Sequence, residues 1–215
     1  MRPEPVVKRA CAFIDGQNLF HAAREAFGYR YPNYDPLHLA EAVSVGQGWR
    51  LVEVRFYVGV PNERYSPSWK HFWEAKLAAL GTRGVHTFSR PLRYQDRLVL
   101  LPDGSVTVMP VGQEKGIDVR LALDVVRLAR TGAYDVAVLF SQDQDLTEVA
   151  DEVRAISVEQ ERWIKLASAF PVSPARRNRR GINRTDWIPV DRATYDACLD
   201  PLDYRPKRPG QDLRS

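Results

Sequence analysis

With 215 residues, 44% of them hydrophobic and 27% charged, and a net charge of +4, the chain is long enough for one α/β domain with its own core and is not expected to hold two. Its two cysteines, Cys11 and Cys198, lie far apart without CxxC spacing, which excludes a structural zinc site and a disulfide framework. The opening MRPEPVVKRA lacks the apolar core of a signal peptide, and no run approaches the roughly 18 apolar residues that span a bilayer, so a soluble, cytoplasmic protein without membrane contact is expected.

Residues 1–9 read as an N-terminal arm. ACAFIDG is a buried first strand, and NLFHAAREAFG a helix in which Leu19, Ala22, Ala23 and Ala26 recur at helical spacing before Gly28. PLHLAEAVSVG gives a second, shorter helix, RLVEVRFYVGVP a strand stopped by Pro61, and SPSWKHFWEAKLAALG an amphipathic helix with Pro67 in its first turn. GVHTFSR is a third strand. RLVLLPDGSVTVMP places two strand-like runs around Pro-Asp-Gly, a turn in which Pro presets φ and Gly accepts positive φ, and so reads as an inserted β-hairpin. KGIDVRLALDVVRLARTG is a long helix with Ile117, Leu121, Val125 and Leu128 on one face. YDVAVLF, DLTEVADEVRAI and RWIKLASAFP supply a fourth strand, its helix and a fifth strand, TDWIPV an edge segment, and DRATYDACLD a last short helix.

Strand-length apolar runs alternating with helical periods are the pattern of βαβ units. The expected class is α/β, with a mostly parallel central sheet of about five strands and the hairpin inserted. The domain is assigned to residues 10–170, and residues 171–215 to a basic C-terminal extension that packs on it and ends in a flexible tail. From Pro171 onward ten Lys/Arg face six Asp, which accounts for the whole net charge. Arg176, Arg177, Arg179 and Arg180 form the densest part of that excess, a cluster suited to phosphates and equally readable as a solvated loop.

On this framework Asp15 ends the first strand, Asp118 lies in the first turn of the long helix, and Asp143 and Asp145 follow the fourth strand. In an open parallel sheet the strands' carboxyl ends face one crevice, where ligands bind. Carboxylates gathered there raise each other's pKa, and a divalent cation with oxygen ligands, Mg²⁺ or Mn²⁺, removes the conflict. Singly, Asp143 or Asp145 reads as a helix cap and Asp118 as a favourable partner of the helix dipole; Asp15 at a strand end is harder to explain by stability. Asn18 suits either the site rim or a cap, Lys115 either a substrate phosphate or solvent, and Ser141 a cap. Asp124 is a weak candidate. Trp73 reads as core, Trp69 and His71 are open to base stacking, and His21, His38 and His86 show no ligand spacing.

FIDGQN, KGIDVRLALD and SQDQDL, in this order and with the hairpin just before KGID, resemble the NYN domain family, a branch of the PIN-like nucleases. The resemblance runs from about Ala10 to Phe170, and RGINRTDWIPVDRATYDACLD is similar to the ending of bacterial members. It implies a PIN-like three-layer α/β/α sandwich and metal-dependent phosphodiester hydrolysis, usually of RNA. By matching position it implies Asp15, Asp118, Asp143 and Asp145 as catalytic and metal-binding acids, with Asn18 at the rim. The family often has Gly where Gln142 stands and an aromatic where Leu146 stands; a requirement for positive φ at 142 would strain a glutamine. The expected partner is nucleic acid, RNA before DNA, with a homodimer left open. The alternatives are a DNA-directed nuclease, a catalytically silent nucleic-acid-binding or adaptor module, and a phosphatase or nucleotide hydrolase.

Overall fold

The computed structural model describes residues 2–174 and 179–206. Strand β1 (Arg9–Asp15) leads into helix α1 (Gly16–Phe27), and α2 (Pro36–Gly46) into β2 (Arg50–Val60). Helix α3 (Pro67–Thr82) precedes β3 (His86–Pro91), and the hairpin β4 (Arg93–Leu100) and β5 (Val106–Gln113) precedes α4 (Ile117–Arg130). Strand β6 (Val136–Phe140) is followed by a 3-10 turn (Gln144–Leu146) and α5 (Thr147–Glu159), then β7 (Lys165–Pro171), β8 (Asp186–Val190) and α6 (Arg192–Asp196).

The six-stranded sheet has the order β3-β2-β1-β6-β7-β8 and is parallel throughout. Its sixth strand is DWIPV, within the expected edge segment and paired to β7, and Pro189 is tolerated there because an edge strand leaves one side of the ladder unpaired. β1 is central, and between Arg9 and Asp15 it is wholly apolar because both faces are covered. Ala10, Ala12 and Ile14 face one core with α1, α2, α3 and Tyr195 of α6; Cys11 and Phe13 face a second core with α4 and α5. Period-two alternation in β1 thus generates the three layers.

Local chemistry fixes the joints. Asp15 caps α1 by accepting from Asn18 N at 3.0 Å, and Gly28, at φ +82°, closes it. Asp35 caps α2 through Leu37 N and His38 N, with Pro36 starting the helix. The hairpin is longer than its apolar runs suggest, pairing Arg93 with Gln113 at its base, and Gly104 takes φ +84° in its turn. Leu98, Leu100, Val106 and Val108 share one face by register and all stay exposed.

Trp73 is core, as its spacing predicts. One turn on, Lys76 is fully buried: Nζ donates to Tyr34 O at 2.7 Å and to Asp200 Oδ2 at 3.0 Å, with the Tyr204 ring centroid at 5.1 Å. This ion pair fastens the C-terminal segment to α3.

Candidate active site

Proceeding from β1, the chain fills the sheet on one side (β2, β3) before crossing to β6 on the other, so the topological switch lies between β1 and β6. Their carboxyl ends open the crevice where an open parallel sheet binds ligands. Ile14 pairs with Phe140, so Asp15 and the Ser141–Asp145 stretch are set side by side. Asn18 Oδ1 accepts from Gln142 N at 3.0 Å and ties the two strand ends together. The residue that caps α1 is Asp15; Asn18 is instead the tie.

Asp15 is only 8% exposed. Burial pushes its carboxyl up to about 6, with Asp143 and Asp118 adding to the rise and the Asn18 and Gln17 backbone N–H groups opposing it. Asp143 is half-buried; its N–H donates to Ser141 Oγ at 3.2 Å, and its Oδ1 accepts from Asp145 N at 3.0 Å. It therefore caps the 3-10 turn and acts electrostatically on Asp15 at once. Asp118 and Asp145 are exposed, and Asp145 is not among the charges that raise Asp15.

One acid was not singled out by the sequence. Glu114, directly before Lys115-Gly116, accepts a short hydrogen bond from Gly59 N through Oε1. Burial, with Asp15 and Asp118, pushes its carboxyl up to about 7. Gly59 makes the approach feasible, since a Cβ there would lie 2.6 Å from Glu114 Cγ. The only local signal was an acid four residues before Asp118; the contact that buries it comes from 55 residues away. Asp15, Glu114, Asp118 and Asp143 thus share one electrostatic field. Among the described residues no three acids already close around a common point as a cation cage.

The two glutamines of SQDQDL hold the basic loop. Gln142 Nε2 donates to Arg180 O at 2.6 Å, Gln144 Nε2 to Gly181 O at 3.1 Å, and Asn183 N to Gln144 Oε1 at 3.2 Å. Ile182 is fully buried beneath, its N–H on Ser168 Oγ at 3.1 Å. Among the described residues only Glu161 and Arg184 have positive φ without being glycine, so Gln142 is unstrained. Arg179 and Arg180 therefore enter from a loop clasped to the acid motif, whereas Arg176 and Arg177, like the expected flexible tail beyond residue 206, lie outside the described residues. Lys115 is exposed before Gly116, whose φ of +74° starts α4.

Asp124 does not join this group. It is buried beside Tyr57 Oη at 2.9 Å and pairs with Arg55, Arg120 and Arg127; these partners outweigh burial and hold its carboxyl below the usual range. His38 and His86 face Asp35 and Glu53, and Trp69 packs on Phe20 and Phe72.

The profile of the NYN domain matches residues 9–162, most of the chain. The chain belongs to the NYN domain family, one of the PIN-like nuclease families. Among solved structures, a Vibrio parahaemolyticus RIMD 2210633 protein of unknown function is similar to this NYN domain at TM-score 0.53 and 19% identity, over 88% of this chain and 97% of the other. That likeness concerns the fold alone. A Giardia lamblia ribokinase reaches TM-score 0.40 at 11% identity, over 86% of this chain and 58% of that one, too distant to equate the folds. No curated protein matches. No helix among the described residues is long and apolar enough to cross a membrane.

PIN-like domains usually use divalent metals, and the donors of this NYN domain fit such an ion. They are hard carboxylate oxygens, and burial first, then the charges of neighbouring acids, push the carboxyls of Asp15 and Glu114 up to about 6 and about 7. A divalent cation removes that conflict, whereas no thiolate or imidazole stands among the acids to favour a softer metal.

Proposed function

We propose that this NYN domain is a metal-dependent nuclease that hydrolyses phosphodiester bonds, with RNA as its substrate. The observation that carries the reading is Asp15, a carboxyl sealed at the switch point of a parallel sheet among acids that oppose its ionisation. Such a group is costly to the fold and repays the cost only when a cation binds.

Asp15, Asp118 and Asp143 would hold Mg²⁺ or Mn²⁺, with Asp145 at the exposed rim. When bound, such an ion supplies positive charge to a phosphoryl oxygen and acidifies water. The protein's own groups do the rest. Lys115 and the clasped loop of Arg179 and Arg180 draw the phosphate backbone in, and Arg176 and Arg177 add their charge to the same stretch of sequence. Asn18 keeps the Asp143 stretch in register with Asp15. Glu114, whose carboxyl is raised to about 7 in the metal-free protein, loses that proton as a cation settles beside Asp15 and Asp118 and then adds a further carboxylate to the site. RNA is preferred to DNA in this reading because members of the family usually act on RNA.

The test is degradation of labelled RNA and DNA oligonucleotides with Mg²⁺, Mn²⁺ or chelator, using wild type, Asp15→Asn and Asp143→Asn. Loss of cleavage in both variants and in chelator, with binding retained, is expected. Wild-type activity in both variants refutes the assignment, and binding without cleavage under every condition favours a silent binding module.

A further inference from the structure

The acids and the arginine loop address phosphate and leave the nucleobase unaccounted for. A stacked pair of rings stands beside them. Tyr65, in the loop after β2, and Tyr94, on β4, have ring centroids 4.0 Å apart and planes inclined by 25°. The Arg64 guanidinium lies over the Tyr65 ring, 5.5 Å from its centroid, where an incoming base would displace it, and Tyr65 is 41% exposed. Neither ring belongs to either core cluster.

Tyr94 is braced from behind. Its hydroxyl accepts from Asn62 N at 3.2 Å, and its ring lies so close to Gly112 that a Cβ there would come within 3.2 Å of it. The Leu92 side chain touches both Gly112 and Gly59, and Gly59 is the residue that donates to Glu114. Contacts through Gly112, Leu92 and Gly59 thus lead from the ring pair to Glu114. Arg90 closes the path on the other side: its guanidinium rests against Gly116 at the start of α4, and with Asn62 it lines one surface groove of about 360 Å³. Glu63 and Glu74, which share that groove, are both paired with Lys70, at 3.8 and 2.9 Å.

We propose that Tyr65, backed by Tyr94 and flanked by Arg64, is a stacking platform for an unpaired base of the substrate, so that the site takes single-stranded nucleic acid. This rests on the nuclease reading for the role of the neighbouring acids, while the stacking itself requires no cleavage. An exposed, braced ring offers every base a π face and so grips a strand without reading its sequence. A base in a duplex has both faces covered by its neighbours and cannot use the platform until it is unstacked. Displaced from the ring, Arg64 adds a cationic edge to the stack and a charge for the adjoining phosphate.

The experiment measures binding of labelled single-stranded and duplex oligonucleotides by fluorescence anisotropy in chelator, for wild type, Tyr65→Ala and Tyr65→Trp. Tyr65→Ala weakens single-strand binding by about 5- to 150-fold, equivalent to about 1–3 kcal/mol, and leaves duplex affinity unchanged. Tyr65→Trp retains affinity, and strand binding quenches its emission beyond the change seen in wild type, which has five tryptophans of its own. Unchanged single-strand affinity in Tyr65→Ala, an equal loss on duplex, or no quenching beyond that of wild type in a strand-bound Tyr65→Trp each overturns the platform. Cleavage with Mn²⁺ is scored separately. Stacking at Tyr65 by a protein that cleaves nothing upholds the platform and refutes the nuclease; cleavage of dilute single strands by Tyr65→Ala at the wild-type rate does the reverse.

Discussion

Replacing Asp15 by Asn should make the metal-free protein more stable, and the gain should depend on pH. Asp15 is buried, and its carboxyl rises from about 3.9 in an unfolded chain to about 6 in the folded one. Below about pH 4 the group is neutral in both states and contributes nothing. As pH climbs from there through 6 the unfolded chain ionises first, so stability is lost, and above about 7 the full penalty of about 3 kcal/mol is present. Asparagine caps a helix as well as aspartate, so the bond from Asn18 N survives the substitution. The amide's own desolvation, about 1 kcal/mol, leaves a net gain of about 2 kcal/mol, or roughly 4–8 °C in Tm for a chain of this size. Thermal melts of both proteins in chelator from pH 4 to 8 provide the measurement. A lower Tm for Asp15→Asn at pH 7.5, or a difference that is the same at pH 4 and pH 7.5, refutes the reasoning. Adding Mg²⁺ or Mn²⁺ should raise the wild-type Tm and raise that of Asp15→Asn much less.

Three further substitutions probe the supports of the site. Asp200→Ala leaves the Lys76 ammonium buried beside a lone carbonyl, and urea titration should show a loss of about 3–5 kcal/mol. Gly116→Ala forces a side chain into φ +74° and against Arg90 Nη1; a loss of about 1–2 kcal/mol is expected from the backbone alone, with a lower Tm. Gln144→Ala removes three hydrogen bonds around the basic loop, including those to Gly181 and Asn183. Oligonucleotide affinity should fall several-fold while Tm moves by less than that of Asp200→Ala, as the bonds lost are between neutral groups and Gln144 itself is exposed.

The layers of this fold are legible in its sequence because burial is periodic. Two-faced strands such as β1 and β6 read as unbroken apolar runs, and the Ile117, Leu121, Val125, Leu128 stripe marks the buried side of α4. The meeting of Asp15 and Asp143 was legible because topology places strand ends together. Glu114 was not, since an acid beside a hairpin looks solvated until Gly59 is folded against it. Gln142 drew notice only as a replacement for glycine and Gln144 drew none, because their partners lie 37 to 39 residues downstream. Lys76 sat in an amphipathic pattern that gives no sign of a counter-charge near the far end of the chain. In each case the missing information was a non-local contact, which periodicity does not encode.

Lys76 and Asp200 also bear on the order of events during synthesis. They are 124 residues apart, so α3 emerges with a cation for its core long before the matching anion exists. Chains fold from the N-terminus as they are made, and a buried charge without its partner is strongly unfavourable. The face of the sheet that carries α1, α2 and α3 cannot close at low cost until the segment around Asp200 arrives. The ion pair therefore couples the closing of that face to a segment 124 residues further along the sequence.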